Sequence, residues 1–175
     1  WARPLLALAV LAGLVTSAVA ADATAECRIQ ELRVATDGHP GFTLMPPEQT
    51  GVDFTNALSE ARAAENQIRL NGSGVALGDT DGDGWCDVFV CALERKVALF
   101  RNLGGWRFTN VTATAGLDFP ANFSTGATFA DVEGDGDLDL LINGIGTGTR
   151  LFLNDGHGHF AESENSRLIR RHGAT

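Results

Sequence analysis

Six residues of this chain recur after 52 positions with no gap between copies: Gly74 and Gly126, Asp79 and Asp131, Asp87 and Asp139, Asn102 and Asn154, Gly104 and Gly156, Phe108 and Phe160. A fixed period of this length is the mark of stacked structural units, each too small to bury its own apolar face. Within each copy the same order returns: a short apolar run, an acidic bend, a second apolar run, then a glycine-rich turn and a third and fourth run. Four strands are predicted per copy, at Gly74 to Gly78, Asp87 to Ala92, Val97 to Arg101 and Arg107 to Val111. Their counterparts are Ala127 to Asp131, Asp139 to Asn143, Arg150 to Leu153 and His159 to Glu162. Asn102-Leu103-Gly104-Gly105 and Asn154-Asp155-Gly156-His157-Gly158 read as hairpin turns. Four strands in about fifty residues is the size of one β-propeller blade, so the predicted class is all-β.

The acidic bends carry the chemistry. The first reads Asp79-Thr80-Asp81-Gly82-Asp83-Gly84-Trp85-Cys86-Asp87 and the second Asp131-Val132-Glu133-Gly134-Asp135-Gly136-Asp137-Leu138-Asp139. Positions 1, 3, 5 and 9 are acidic and position 6 is glycine in both. Two carboxylates about 5 Å apart repel by roughly 3 kcal/mol at an effective dielectric near 20, and a divalent cation reverses that cost. Alternating hard oxygens, a main-chain carbonyl at position 7 (Trp85 and Asp137) and a glycine for the sharp turn suit Ca²⁺, whose flexible shell takes six to eight oxygens. Mg²⁺ fits less well, because its strict octahedron usually keeps several waters. An EF-hand is disfavoured: position 12 is Val90 or Ile142 in place of Glu, and Asp87-Val88-Phe89-Val90 and Asp139-Leu140-Leu141-Ile142 read as strands. The competing reading is a pair of acidic turns that bind nothing.

With those residues in view, Gly74 to Gly84, Leu99-Phe100-Arg101-Asn102-Leu103-Gly104 and Phe108 to Leu117 resemble FG-GAP/VCBS repeats, and are most similar to secreted cartilage-acidic-protein-like proteins of the ASPIC/UnbV group. The likeness spans residues 50 to 165. It implies an integrin-α-like propeller, commonly seven-bladed, with Ca²⁺ in the loop joining the first two strands of a blade. By position, Asp79, Asp81, Asp83 and Asp87, and Asp131, Glu133, Asp135 and Asp139, are then side-chain ligands, one ion per loop. Glu133 departs from the Asp usual there, and the literal Phe-Gly and Gly-Ala-Pro signatures are absent.

The expected organisation is a signal peptide over 1–20, a linker over 21–50, a lone outer strand and excursion over 51–72, repeat 1 over 73–124, repeat 2 over 125–165 and a truncated third repeat over 166–175. Arg3, the apolar run Leu5 to Val15 and the small residues up to Ala20 carry the secretory pattern, with an uncleaved anchor as the alternative. Val52 to Asn56 echoes Phe108 to Asn110 and suggests the lone outer strand; Asn56 to Asn66 could be a short helix or an excursion. The chain starts on Trp1, not Met, and Gly173-Ala174-Thr175 echoes Gly126-Ala127-Thr128, so it reads as a piece whose missing blades close the ring. The net charge of −9 argues against a nucleic-acid partner, and nine of the 22 acids sit in the two loops.

Other candidates weigh less. Cys27, Cys86 and Cys91 are an odd count with undetermined pairing; Cys86 and Cys91 read as small buried residues. His157 and His159 with Asp155 could hold a transition metal, but repeat 1 has Gly105 and Arg107 there, so a solvated turn is expected. Gly144-Ile145-Gly146-Thr147-Gly148 reads as a hairpin turn and not as a dinucleotide loop, and Ser73 lacks a nucleophile elbow. Trp85, Trp106, Phe89, Phe100, Phe108, Phe129, Phe152 and Phe160 are expected in the inter-blade core. The resulting expectation is an exported, non-catalytic, Ca²⁺-binding propeller protein for adhesion or for recognition of a protein or glycan, with no membrane span once the signal is cleaved. It would be secreted, or periplasmic or on the cell surface in a bacterium. The alternatives are an enzyme whose catalytic centre lies in missing blades or a missing domain, and a structural spacer.

Overall fold

The computed structural model describes residues 41–120 and 123–163. The expected signal peptide, residues 21–40 and the expected start of a third repeat lie outside the described residues. The elements below belong to one unit, Thr43–Thr175.

Eight strands form two four-stranded antiparallel sheets in simple up-and-down order. Sheet 1 holds β1 (Val75–Gly78), β2 (Asp87–Val90), β3 (Ala98–Asn102) and β4 (Phe108–Asn110); sheet 2 holds β5 (Ser124–Ala130), β6 (Asp139–Gly144), β7 (Gly148–Asn154) and β8 (Phe160–Glu162). Register repeats with sequence: Val88 faces Phe100 and Leu140 faces Phe152, while Asn102 faces Phe108 and Asn154 faces Phe160. All eight predicted strands are present, and Gly144 to Gly148 turns the β6–β7 hairpin. The molecule is all-β in the manner of propeller repeats.

The main core lies between the sheets. Sheet 1 contributes Ala76, Phe89, Cys91, Val97 and Leu99, and sheet 2 contributes Leu140, Ile142, Phe152 and Phe160, with Ala127 and Phe129 packed alongside. Phe89 meets Phe129 edge to face at 6.5 Å. Strand alternation explains the division: Phe89 points to sheet 2, while Val88 and Val90 point the other way, into a smaller cluster with Ala98, Phe100 and Phe108. Each fully buried Phe, Leu or Ile contributes about 1.5–3 kcal/mol, so the seam is the chief source of stability here. Close approach of the innermost strands needs glycine at Gly74, where an added Cβ would stand 2.9 Å from the Gly126 Cα.

The stretch expected to be a lone outer strand is not one. Residues 51–59 hold no strand, and the segment instead carries α1 (Pro47–Thr50) before it and α2 (Glu60–Glu65) and a 3₁₀ turn (Gln67–Asn71) after it. The physical reason is a second internal likeness, at an offset of 65: Gly51-Val52-Asp53-Phe54 and Gly116-Leu117-Asp118-Phe119. Gly51 and Gly116 both have φ of 78°, and an added Cβ at either would overlap the carbonyl oxygen of Phe108 or Phe160 respectively. Val52 and Phe54 lie flat against the small cluster of sheet 1, as Leu117 and Phe119 lie against the core. This is a face-covering strap preceding each sheet. The shift from 52 to 65 is a thirteen-residue insertion that holds α2 and the 3₁₀ turn. It is moored by Ser59, whose hydroxyl donates to Glu94 Oε1 at 2.7 Å, and by Arg69, whose guanidinium lies 4.4 Å from the Phe123 ring centroid.

Two other expectations are corrected. Trp85 and Trp106 are not core residues: they are 53% and 69% exposed, because the bends that carry them project beyond the strands. Cys86 is exposed as well, whereas Cys91 is buried in the seam. Burial pushes the Cys91 thiol up to about 11, against the opposing hydrogen bond from Ser124. Iodoacetamide at neutral pH should therefore label Cys86 within minutes and leave Cys91 unmodified until denaturant is added. Equal labelling in peptide maps of the folded chain would show that the seam opens.

Candidate metal centre

Each acidic bend joins the first two strands of its sheet, and its shape is set by its own carboxylates. Asp79 Oδ1 accepts from the amides of Gly82 and Asp83 at 2.9 and 3.1 Å, and its Oδ2 from Gly84 at 2.8 Å. Asp131 repeats this with Gly134, Asp135 and Gly136 at 2.6, 3.1 and 3.1 Å. Asp83 takes the amide of Trp85 at 2.8 Å, and Asp135 that of Asp137 at 3.0 Å. Gly82, Gly84, Gly134 and Gly136 all have positive φ, which is why aspartates alternate with glycines: the left-handed residues turn successive amides inward.

Position 9 plays a part that spacing alone did not reveal. Asp87 is fully buried: its Oδ2 accepts from the Thr80 amide at 3.0 Å and the Thr80 hydroxyl at 2.5 Å, and its Oδ1 from the Asn102 amide at 2.8 Å. Asp139 does the same with Val132 and Asn154, both at 2.9 Å. These carboxylates join each bend to the β3–β4 or β7–β8 hairpin. Asn102 and Asn154 complete the joint. Asn102 donates to the Cys86 carbonyl at 2.9 Å, and Asn154 donates to Leu138 at 3.1 Å and, across the seam, to Thr80 at 2.8 Å. Their recurrence at 52 was the available signal.

Carboxylate oxygens of Asp79, Asp81 and Asp87 all lie within 4.8 Å of one another, a spacing at which one cation could touch all three. Asp83 is not in that group. Its Oδ1 is held by Trp85, and its Oδ2 lies 3.4 Å from Arg101 Nη2. Asp81 bonds Arg101 Nε at 2.5 Å. Desolvation raises the Asp81 carboxyl above its usual range, with the Arg101 charge opposing and the Asp83 and Asp87 charges adding.

Asp131, Glu133 and Asp139 form no such group among the described residues. Glu133, one methylene longer, has its carboxyl raised by desolvation, by a hydrogen bond with Asp135 and by the charges of Asp135, Asp139 and Asp131. Asp137 turns its side chain toward the hairpin, where a Cβ added at Gly156 would meet its Oδ2 at 2.5 Å. His157 and His159 are exposed, and their amides donate to the Asp155 carboxylate in a local turn.

Two up-and-down sheets, each with an equivalent acidic bend between its first two strands, define a β-propeller-like repeat protein. Residues 79–142 match the model of a family described as FG-GAP-like repeat, a span running from the first bend through the second and into β6. A search of curated proteins found no match. Among the described residues no helix is long and apolar enough to cross a membrane.

Proposed function

We propose that this chain is an exported, non-catalytic propeller protein whose bends each take one Ca²⁺, and that the ring so stiffened presents a surface for adhesion or for recognition of a protein or glycan. The observation that carries the metal reading is the convergence of Asp79, Asp81 and Asp87 on a bend whose amides already orient them. Asp83 and the Trp85 carbonyl would complete the ligand set of the first bend, and Asp131, Glu133, Asp135, Asp139 and the Asp137 carbonyl would form that of the second bend. Their all-oxygen chemistry fits a hard cation, with the second bend needing Glu133 to turn from Asp135. When bound, the ion supplies positive charge that cancels the mutual repulsion of the carboxylates. In this reading every acid of the bends except Asp137, whose side chain turns toward the hairpin, is spent on orienting amides or on the ion and not on general-base chemistry.

The partner of sheet 1 is proposed from the repeat itself. Val75 and Leu77 are exposed at positions whose equivalents in sheet 2, Ala127 and Phe129, pack against the core between the sheets, Phe129 against Phe89 itself. A further blade of the same chain, offering its own Phe89-like face, would cover them.

Extracellular modules of this chemistry bind Ca²⁺ at about 10⁻⁴ to 10⁻³ M, so millimolar Ca²⁺ should stabilise by about 1–3 kcal/mol over two sites. Thermal melting in 2 mM CaCl₂ against EGTA should show a gain of a few degrees, and calorimetry should count two ions. Asp81→Asn and Glu133→Gln should each remove one. An unchanged melt together with no heat of binding would overturn the metal reading.

A further inference from the structure

The first bend already has a cation on it. Arg101, on β3, sets its Nε 2.5 Å from Asp81 Oδ2 and its Nη2 3.4 Å from Asp83 Oδ2. The acids are the fixed partners and the base is the free one: the Asp81 side chain is 9% exposed and that of Arg101 44%. At the equivalent position of the second repeat stands Leu153, so this cation belongs to one bend of the two. A guanidinium has five donors and no lone pair, so it cannot join the shell of a metal ion; an oxygen given to one is withdrawn from the other.

We infer, resting on the metal reading above, that Arg101 is a tethered counter-ion that competes with a divalent cation for Asp81 and Asp83. With no ion bound its single positive charge offsets part of the bend's negative charge and adds to the stability of the bend. When an ion arrives, the two positive charges repel, and the guanidinium moves off. Space to turn adjoins it: Arg101 and Asp81 both line a cavity of about 130 Å³ at the seam between the sheets, with Thr80, Thr114, His157 and His159. The swing needs side-chain rotation only. The arginine thus sets the ion concentration at which the first bend fills, separately from the second, and couples filling to a change of charge at the seam.

The test reads the first bend alone. Trp85 sits inside it, while the second bend has Asp137 at that position, so tryptophan-sensitised Tb³⁺ luminescence reports on the first, and displacement by Ca²⁺ gives its affinity. In the full chain, Arg101→Leu and Arg101→Gln should each tighten Ca²⁺ about five-fold, the size expected for loss of two exposed ion pairs. The same variants should melt lower than the parent in EGTA and no lower in 10 mM Ca²⁺, a reversal that a merely structural arginine would not produce. Weaker or unchanged Ca²⁺ binding in both variants, with the second bend still filling by calorimetry, would overturn the competition and assign Arg101 to organising the ligands or to neither role. No uptake by any of the three chains would remove the metal reading and this inference together.

Discussion

Asp87→Ala should lower the unfolding temperature by about 10–15 °C, in EGTA as much as in calcium. The side chain is fully buried, and its two oxygens hold the Thr80 amide, the Thr80 hydroxyl and the Asn102 amide. Alanine leaves three donors without partners in a space closed by strands, and each such group costs about 1–3 kcal/mol. Allowing for rotation of the hydroxyl and some hydration of the amides, the total is about 3–5 kcal/mol, at roughly 2–4 °C for each in a chain of this length. Asp139→Ala should cost less, because Val132 replaces Thr80 and one donor fewer is stranded. Asp81→Asn provides the contrast: that side chain orients one amide at 3.3 Å and faces Arg101, so in EGTA its loss should be small. Differential scanning calorimetry of the three variants with and without Ca²⁺ separates the roles. A loss for Asp87→Ala confined to calcium would make this residue a ligand first and a structural joint only through the ion.

The double duty of Asp87 shows where sequence reasoning stops. A 52-residue offset and period-2 apolar runs located all eight strands, because a strand buried on one face must alternate and a hairpin must turn on glycine or asparagine. The acidic spacing located the bends but treated positions 1, 3, 5 and 9 as four of a kind. They differ by burial: Asp87 and Asp139 are interior, Asp79 and Asp131 orient the bend amides, and Asp83 faces Arg101. Nothing in spacing distinguishes these, since which carboxylate is interior depends on where β2 and the β3–β4 hairpin meet. Arg101 was hidden for the same reason, lying eighteen residues from Asp83 along the chain. The tryptophans failed differently. Aromatic residues in a repeat usually belong to its core, but Trp85 lies on a projecting bend, and Trp106, at φ of 62°, on a turn. The strap was misread because Val52 to Asn56 matches β4 in residue type, while its true relative, Gly116 to Phe119, sits at a different offset.

That strap gives the second large effect. Gly116→Ala should destabilise the chain by about 3–4 kcal/mol, with Gly82→Ala as the control at about 1 kcal/mol. Both glycines have left-handed backbones, φ of 78° and 73°, so the cost of forcing alanine into that region is shared. They differ in what the new methyl meets. At Gly82 there is open space, whereas at Gly116 the methyl would overlap the Phe160 carbonyl oxygen, a main-chain atom that no rotamer change can move. The flanking residues cannot yield either: Ala115 accepts the Phe160 amide at 2.9 Å, and Ala115 and Leu117 are 2% and 0% exposed. Relief requires lifting the strap from β8, which breaks that hydrogen bond and reopens the Leu117 pocket, and burial of one leucine alone contributes about 1.5–3 kcal/mol. Gly51→Ala should follow the same course on sheet 1, but at lower cost, since Val52 and Phe54 are only partly buried and, among the described residues, no further sheet covers them. Urea unfolding of the three variants measures this directly. Equal losses for Gly116→Ala and Gly82→Ala would mean that the strap rides on the sheets without fixing them. The expected inequality would make the step that precedes each sheet, Gly-Val-Asp-Phe ahead of sheet 1 and Gly-Leu-Asp-Phe ahead of sheet 2, the part that sets how one repeat sits on the next.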